Sequence, residues 1–227
     1  MSGFRRRIRR GHVRGKSVNL KSFTDPRVLR RFIILMAILT FGGFTFWAVT
    51  GSFVQAPPGD YEVRQGDIHL GDKKFDEALE RFNAALSVSP DHRGALMGRA
   101  LVFLLSERYT EAEAEFSYLI KYLQAKLDSD DITGFAVYAA AYANRGILYD
   151  RTGRYDKALA DYIQALKIDE GAVDGPGLVD KVIYGTPRPS TVRKRALYLQ
   201  QQLALPEERR VLRIPKKDAE QRLYKPY

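Results

Sequence analysis

The sequence predicts an all-α protein: a single N-terminal transmembrane helix, then a solenoid of three helical repeats closed by a C-terminal capping helix. Three observations carry this. Residues 32–54 form an apolar run without a charge. Small and aromatic residues beyond residue 59 recur at a spacing of 34. Residues 190–205 place Val192, Ala196, Leu199 and Leu203 on one helical face.

The apolar run, FIILMAILTFGGFTFWAVTGSFV, has 23 residues. At about 1.5 Å per residue it extends roughly 35 Å, enough for a hydrocarbon core of about 30 Å with some tilt. Asp25-Pro26 supplies a helix start, with the acid as N-cap and proline in the first helical position, so the span is expected over residues 26–56. Trp47 falls toward the far interface, where aromatic rings are favoured. A buried core helix of this length would show a polar stripe, and this run has none. A cleaved signal peptide would have a shorter apolar stretch, and Pro57 after Val54-Gln55-Ala56 opposes cleavage. The segment reads as an uncleaved signal anchor.

The formal net charge of +10 separates by region. Residues 1–31 hold eleven Lys/Arg, including Arg5, Arg6, Arg7, Arg9, Arg10, Arg30 and Arg31, against one acid, whereas the rest of the chain holds 26 of each sign. The first basic residue after the span is Arg64. By the positive-inside rule, residues 1–25 are a cytoplasmic tail and residues 55–227 lie on the other side. In a bacterium this means an inner-membrane, single-pass protein with a periplasmic domain. The stretch RRRIRRGHVRGK suits contact with anionic lipid headgroups. It lacks Trp and Tyr for stacking on bases, so no nucleic-acid partner is expected.

Beyond the span, units 59–92 and 93–126 are in register: Gly66 matches Ala100, Ala78 matches Ala112 and Phe82 matches Phe116, each 34 residues apart. A third unit, 139–172, repeats the pattern with Gly146, Ala158 and Tyr162, each 46 residues on, which is one repeat plus an insertion of 12 at 127–138. A small residue lets two helices approach, and an aromatic fills the gap between them.

The stretch AYANRGILYDRTGRYDKALADYIQALKID, with Gly146, Tyr149, Tyr155, Ala158, Tyr162 and Ala165, resembles the tetratricopeptide repeat (TPR) family. Unit one carries the same pattern in Gly66, Phe75, Ala78, Phe82, Ala85 and Pro90. The resemblance covers residues 59–170 and implies helix–turn–helix units of 34 residues. Units two and three end at Gln124 and Glu170, where the family prefers proline, so their last helices are expected to run on. The resemblance further implies a concave surface lined by the first helix of each unit: Asp60, Val63, Asp67 and Leu70, then Gly94, Met97, Leu101 and Leu104, then Ala140, Ala143, Ile147 and Asp150. Chaperone-binding members grip a C-terminal carboxylate with Lys, Arg and Asn. Asn144 and Arg64 stand at comparable positions here, but the lysines are missing, so that mode is not expected. What is expected is a protein-binding groove formed by Arg64, Met97, Leu101, Leu104, Ala140, Ala143, Asn144 and Ile147. It would take an apolar segment of a protein partner, itself membrane-bound, or be filled by the chain's own insertion or C-terminal segment.

The insertion reads as an extension of unit two's second helix to about residue 127, a turn, and a helix starting near residues 131–133. Asp128, Asp130 and Asp131 lack the spacing of a calcium loop and read as helix caps. Residues 173–205 are expected to form capping helices, a short one over 177–184 and a longer one over 190–205, since a solenoid end needs a polar outer face. Residues 206–227, with Pro206, Pro215 and Pro226, read as an extended tail. The repeats (51–170) carry 14 basic and 20 acidic residues, while 171–227 carry 12 and 6, so the tail has two destinations open to it: the acidic repeats or an acidic partner.

The chain has no cysteine and three histidines, His12, His69 and His92, none paired at metal-ligand spacing. It holds no phosphate-binding loop, dinucleotide fingerprint or nucleophile elbow. No catalysis, cofactor, metal or small-molecule substrate is expected. The functional expectation is a membrane-anchored scaffold, adaptor or assembly factor for a membrane or envelope complex. Two alternatives stand beside it: a permanent accessory subunit of a respiratory or photosynthetic complex, and an import-type receptor with cytosolic repeats.

Overall fold

The computed structural model describes residues 26–53, 57–173 and 191–215 together with Asp218, Gln221, Leu223 and Tyr224. The basic segment containing Arg5, Arg6, Arg7, Arg9 and Arg10, and the short helix expected over 177–184, lie outside the described residues. Eight α-helices occur among the described ones. The chain divides into two units, residues 1–55 and 56–227.

The first unit contains α1, Pro26–Phe53. By length and composition its stretch Pro26–Val49 suffices to cross a membrane, and every side chain described in that stretch is exposed. Arg30 and Arg31 lie near its start, and the Trp47 ring sits 6.0 Å from that of Phe44 near its end. Thr45, a polar residue inside the run, returns its hydroxyl to its own helix, donating to the Phe41 carbonyl at 2.7 Å and reaching the Gly42 carbonyl at 3.1 Å. That bond satisfies the group without water, as an apolar medium requires.

The second unit is built of helix pairs. These are α2 (Asp60–Gly71) with α3 (Phe75–Val88), α4 (Arg93–Leu105) with α5 (Tyr109–Lys126), and α6 (Ile132–Arg151) with α7 (Tyr155–Ile168), followed by α8 (Val192–Leu203). Each pair turns through one left-handed residue: Lys73 (φ 59°), Glu107 (φ 61°) and Gly153 (φ 76°). These three keep the 34 and 46 spacing of the repeat. In each turn the residue after the left-handed one donates back to the first helix, as in Lys74 to the His69 carbonyl, Arg108 to Phe103 and Arg154 to Tyr149, all at 2.8 Å. This closure satisfies carbonyls that the helix end would otherwise orphan.

The insertion is spent mostly on helix. Relative to unit one, α5 is longer by about one turn at its C-terminus and α6 by about two turns at its N-terminus. Asp131 caps α6 by accepting the Gly134 N–H at 2.7 Å, as the aspartate-rich stretch predicts.

Small residues are small because aromatic rings occupy the space beside them. A Cβ on Gly66 would lie 2.6 Å from the Phe82 ring, one on Gly98 2.3 Å from the same ring, and one on Gly146 2.7 Å from Tyr162. Phe82 of α3 thus wedges between the first helices of units one and two. The core runs on through Phe116, Leu119 and Leu123 of α5, Leu148 of α6 and Leu199 of α8, all 1 % exposed or less.

Candidate protein-binding groove

The first helices, α2, α4 and α6, supply the groove-lining positions that the family resemblance implies, and the structure divides these residues into two stretches. The first is open. A cavity of about 670 Å³ is lined by Pro57, Pro58, Asp60, Val63, Arg64 and Asp67 on the α2 side, by Ser89, Asp91, His92, Arg93 and Gly94 at the start of α4, and by Thr133 and Val137 of α6. The extra turns of α6 therefore build one wall of this cavity.

Polar contacts fix those walls. His92 precedes α4 and caps it, its Nδ1 accepting the Ala95 N–H at 3.3 Å, while its Nε2 lies 2.9 Å from the Asp60 carboxylate. With Nδ1 as acceptor, Nε2 carries the proton and donates to Asp60. Arg93 donates to Asp131 at 2.5 Å, tying the first residue of α4 to the cap of α6. The Gly134 N–H, and then Arg93, hold the Asp131 carboxyl below its usual range. Gly94 keeps the floor low, since a Cβ there would stand 3.3 Å from Val63. The cavity thus offers an apolar floor of Val63 and Val137 with both signs of charge at its rim.

The second stretch is filled by the chain's own C-terminal segment. Asn144 of α6 is fully buried. Its Nδ2 donates to the Tyr224 carbonyl at 2.6 Å, and its Oδ1 accepts the Tyr224 N–H at 2.8 Å. The Tyr224 hydroxyl accepts the Val192 N–H at 3.3 Å. Gln221 donates to Asp150 at 2.8 Å, and Arg213 donates to the Arg151 carbonyl at 2.6 Å. Leu212, Leu223 and Tyr224 pack, partly buried, on the main core. Of the tail's two destinations, the acidic repeats are the one it takes here.

Under this segment lies a buried ion pair to which no spacing in the sequence points. Arg195 of α8 donates to both oxygens of Asp150 of α6, at 2.6 and 2.7 Å, and to the Leu212 carbonyl at 2.9 Å. The two side chains are 5 % and 2 % exposed. Burial pulls the guanidinium down, but the Asp150 carboxylate outweighs it and holds Arg195 above its usual range. Tyr162 donates to the same carboxylate at 3.2 Å; burial, then Asp150, push its hydroxyl well above the phenol range.

Of the expected groove residues, Arg64 alone is exposed and lines the open cavity. Met97, Leu101, Leu104, Ala140, Ala143 and Ile147 are 3 % exposed or less and belong to the main core. They are surface positions in a bare solenoid and interior positions in this chain, because α8 and the C-terminal segment close over that end. Asp60, Val63, Asp67 and Gly94, which the family resemblance puts on the concave surface, also line that cavity. His92 and Arg93, at the turn into α4, and Thr133, in the insertion, complete its walls, and of these three only Thr133 has a sequence signal, the insertion itself.

Two regions match family models described as tetratricopeptide repeat, residues 63–132 and residues 139–171. No curated protein matches the chain. Among solved structures, the first TPR of Spaghetti bound to an HSP90 peptide is 15% identical, with a TM-score of 0.47, 67% of this chain covered and 98% of that one. The Arabidopsis OM64 TPR domain is 18% identical, with a TM-score of 0.43 and coverages of 63% and 95%. The TPR2AB domain of yeast Sti1, in its complex with pHSP90, is 17% identical, with a TM-score of 0.46 and coverages of 66% and 52%. Three helix pairs in one register, with matches to the repeat's own models, show that residues 63–171 belong to the tetratricopeptide repeat family.

Proposed function

We propose that this protein is a membrane-anchored protein-interaction scaffold, an adaptor or assembly factor for a membrane or envelope complex. The observation that carries this reading is the open cavity: an apolar floor with a rim of mixed charge, on a repeat domain joined within four residues (Phe53 to Pro57) to an apolar helix of membrane-spanning length. Such a cavity suits a protein segment with an apolar centre and polar flanks. The tether would confine it near membrane-bound partners and raise their effective concentration. The basic residues before the span and their absence between residues 32 and 63 support a cytoplasmic N-terminus and a periplasmic repeat domain in a bacterial inner membrane.

The test is a photo-crosslinking amino acid at Arg64 or Thr133 in the full chain, irradiated in native membranes. The expected result is a discrete adduct with a protein, lost when the label is moved to Glu80 on the second helix of unit one. Labelling of lipid alone, or no adduct, would sink the scaffold reading. For topology, the repeat domain should resist added protease in intact cells. It should become cleavable once the outer membrane is opened, while a cytoplasmic marker stays protected. Protection that persists until the cytoplasmic membrane is also opened would reverse the orientation.

A further inference from the structure

The ring of His92 is fitted into a slot between two stretches of backbone. A Cβ on Gly59, just ahead of α2, would lie 3.1 Å from it, and one on Gly94, in the first turn of α4, 3.3 Å. The side chain is 13 % exposed and uses both nitrogens: Nδ1 caps α4, and Nε2 ties it to Asp60 of α2. The repeat does not ask for an imidazole here. One period back, and one period plus the insertion forward, the same register holds Pro58 and Tyr138. The packing that recurs from unit to unit therefore does not account for it.

The two bonds coexist only while the ring is neutral. A charged imidazole donates from both nitrogens, so it must give up the Ala95 N–H while its bond to Asp60 becomes charge-assisted and stronger. The positive end of the α4 dipole, with Arg93 beside it, pushes a charged ring the same way, off the helix. The charged groups around the ring come from every side. On α2 they are Asp60, Arg64 and Asp67, and next to it in the chain Asp91 and Arg93. From the start of α6 comes Asp131, which Arg93 holds. α3 ends there in the uncharged Ser89, and α5 brings the Tyr118 hydroxyl, which donates to Asp91 at 2.9 Å. His92 is the one histidine in this group, and histidine is the side chain whose charge changes between about pH 5 and 8.

We propose that His92 is a proton-operated latch on the open cavity. Neutral, it pins the start of α2 to the start of α4 and caps that helix. Charged, it lets go of the cap, stays with Asp60, and changes the spacing of the cavity walls. The latch belongs to the fold and stands or falls apart from the scaffold reading.

The chain has no cysteine, so Arg64→Cys with Thr133→Cys places a single pair of spin labels across the cavity of the full chain in mild detergent. From about pH 8 to about pH 5.5 the measured distance distribution should shift or broaden. With His92→Asn added it should stay the same, because asparagine caps a helix without titrating. One unchanged distribution at both pH values in the chain that keeps His92 overturns the latch. So does a pH response that survives His92→Asn, since it then belongs to another group such as His69. A second readout needs no substitution and decides the matter where the variants fail to fold. In nitrogen-15 spectra of the native chain, the Ala95 amide should move together with the titrating ring of His92. Once the ring is charged, that amide should exchange with water faster relative to Ala100 in the middle of α4. An Ala95 amide that does not respond as the pH falls overturns the proposal.

Discussion

Lys73 and Glu107 carry ordinary side chains through left-handed backbone, where the third turn uses Gly153. A Cβ in that conformation costs about 1–2 kcal/mol, and a glycine gives back roughly 0.5–1 kcal/mol of that in unfolded-chain entropy. Glu107→Gly should therefore stabilise the repeat domain by about 0.5–1 kcal/mol, read as a higher midpoint in urea at unchanged slope. Glu113 gives a pH signature. Burial raises its carboxyl, but hydrogen bonds from Arg154 at 2.6 Å and Tyr149 at 2.9 Å outweigh it, so its pKa lies below the ordinary 4.5. Burial and Glu113 in turn push the Tyr149 hydroxyl up to about 12. A depressed carboxyl adds stability above its unfolded pKa and loses it as pH falls through the folded one. Thermal scans should show the native chain losing more stability than Glu113→Gln below about pH 4.5, with parallel curves above.

Between helices, the positions that the repeat period picks out are packing positions. Gly66, Ala78, Phe82, Gly146, Ala158 and Tyr162 are legible in the sequence because apolar packing forces the same residue sizes at each turn of the period. Gly98 is not among them, yet it takes the other side of Phe82, and Gly98→Ala should cost about 1–3 kcal/mol by overpacking, read as a lower urea midpoint. A second periodic pattern is polar, so a search for recurring apolar residues passes over it. Arg99 binds Glu115 of its own unit at 2.7 Å and Asn83 of the preceding α3 at 2.9 Å. Arg145 binds Asp161 at 2.7 Å and Ser117 of the preceding α5 at 3.0 Å. Arg99 and Arg145, and Glu115 and Asp161, are 46 apart, and Asn83 and Ser117 are 34 apart. The seat of Tyr224 has no such signal. Its bonds to Asn144 cross 80 residues and involve backbone atoms, which no side-chain period encodes.

Across the whole repeat domain, a buried pair sits at the centre of the C-terminal closure. Asp150→Ala would leave Arg195 buried with only the Leu212 carbonyl at 2.9 Å and the more distant Asp218 carboxylate at 3.5 Å. That should cost about 3–5 kcal/mol, whereas Asp150→Ala with Arg195→Met should recover most of that. Chemical denaturation of the native chain, both single variants and the double checks the coupling. The arginine braces described above have a consequence for taking such a molecule apart. Each guanidinium reaches back across the 34-residue boundary, so a piece beginning at Arg93 strands Arg99 from Asn83, and one beginning at residue 139 strands Arg145 from Ser117. Shuffling or excising modules at the boundary that the sequence period marks would cut a bond each time. A piece that keeps each brace whole begins one helix earlier, at Phe75 or Tyr109, and holds a second helix, the next unit's first and its second. The period of the sequence and the reach of its polar braces are therefore out of phase by one helix.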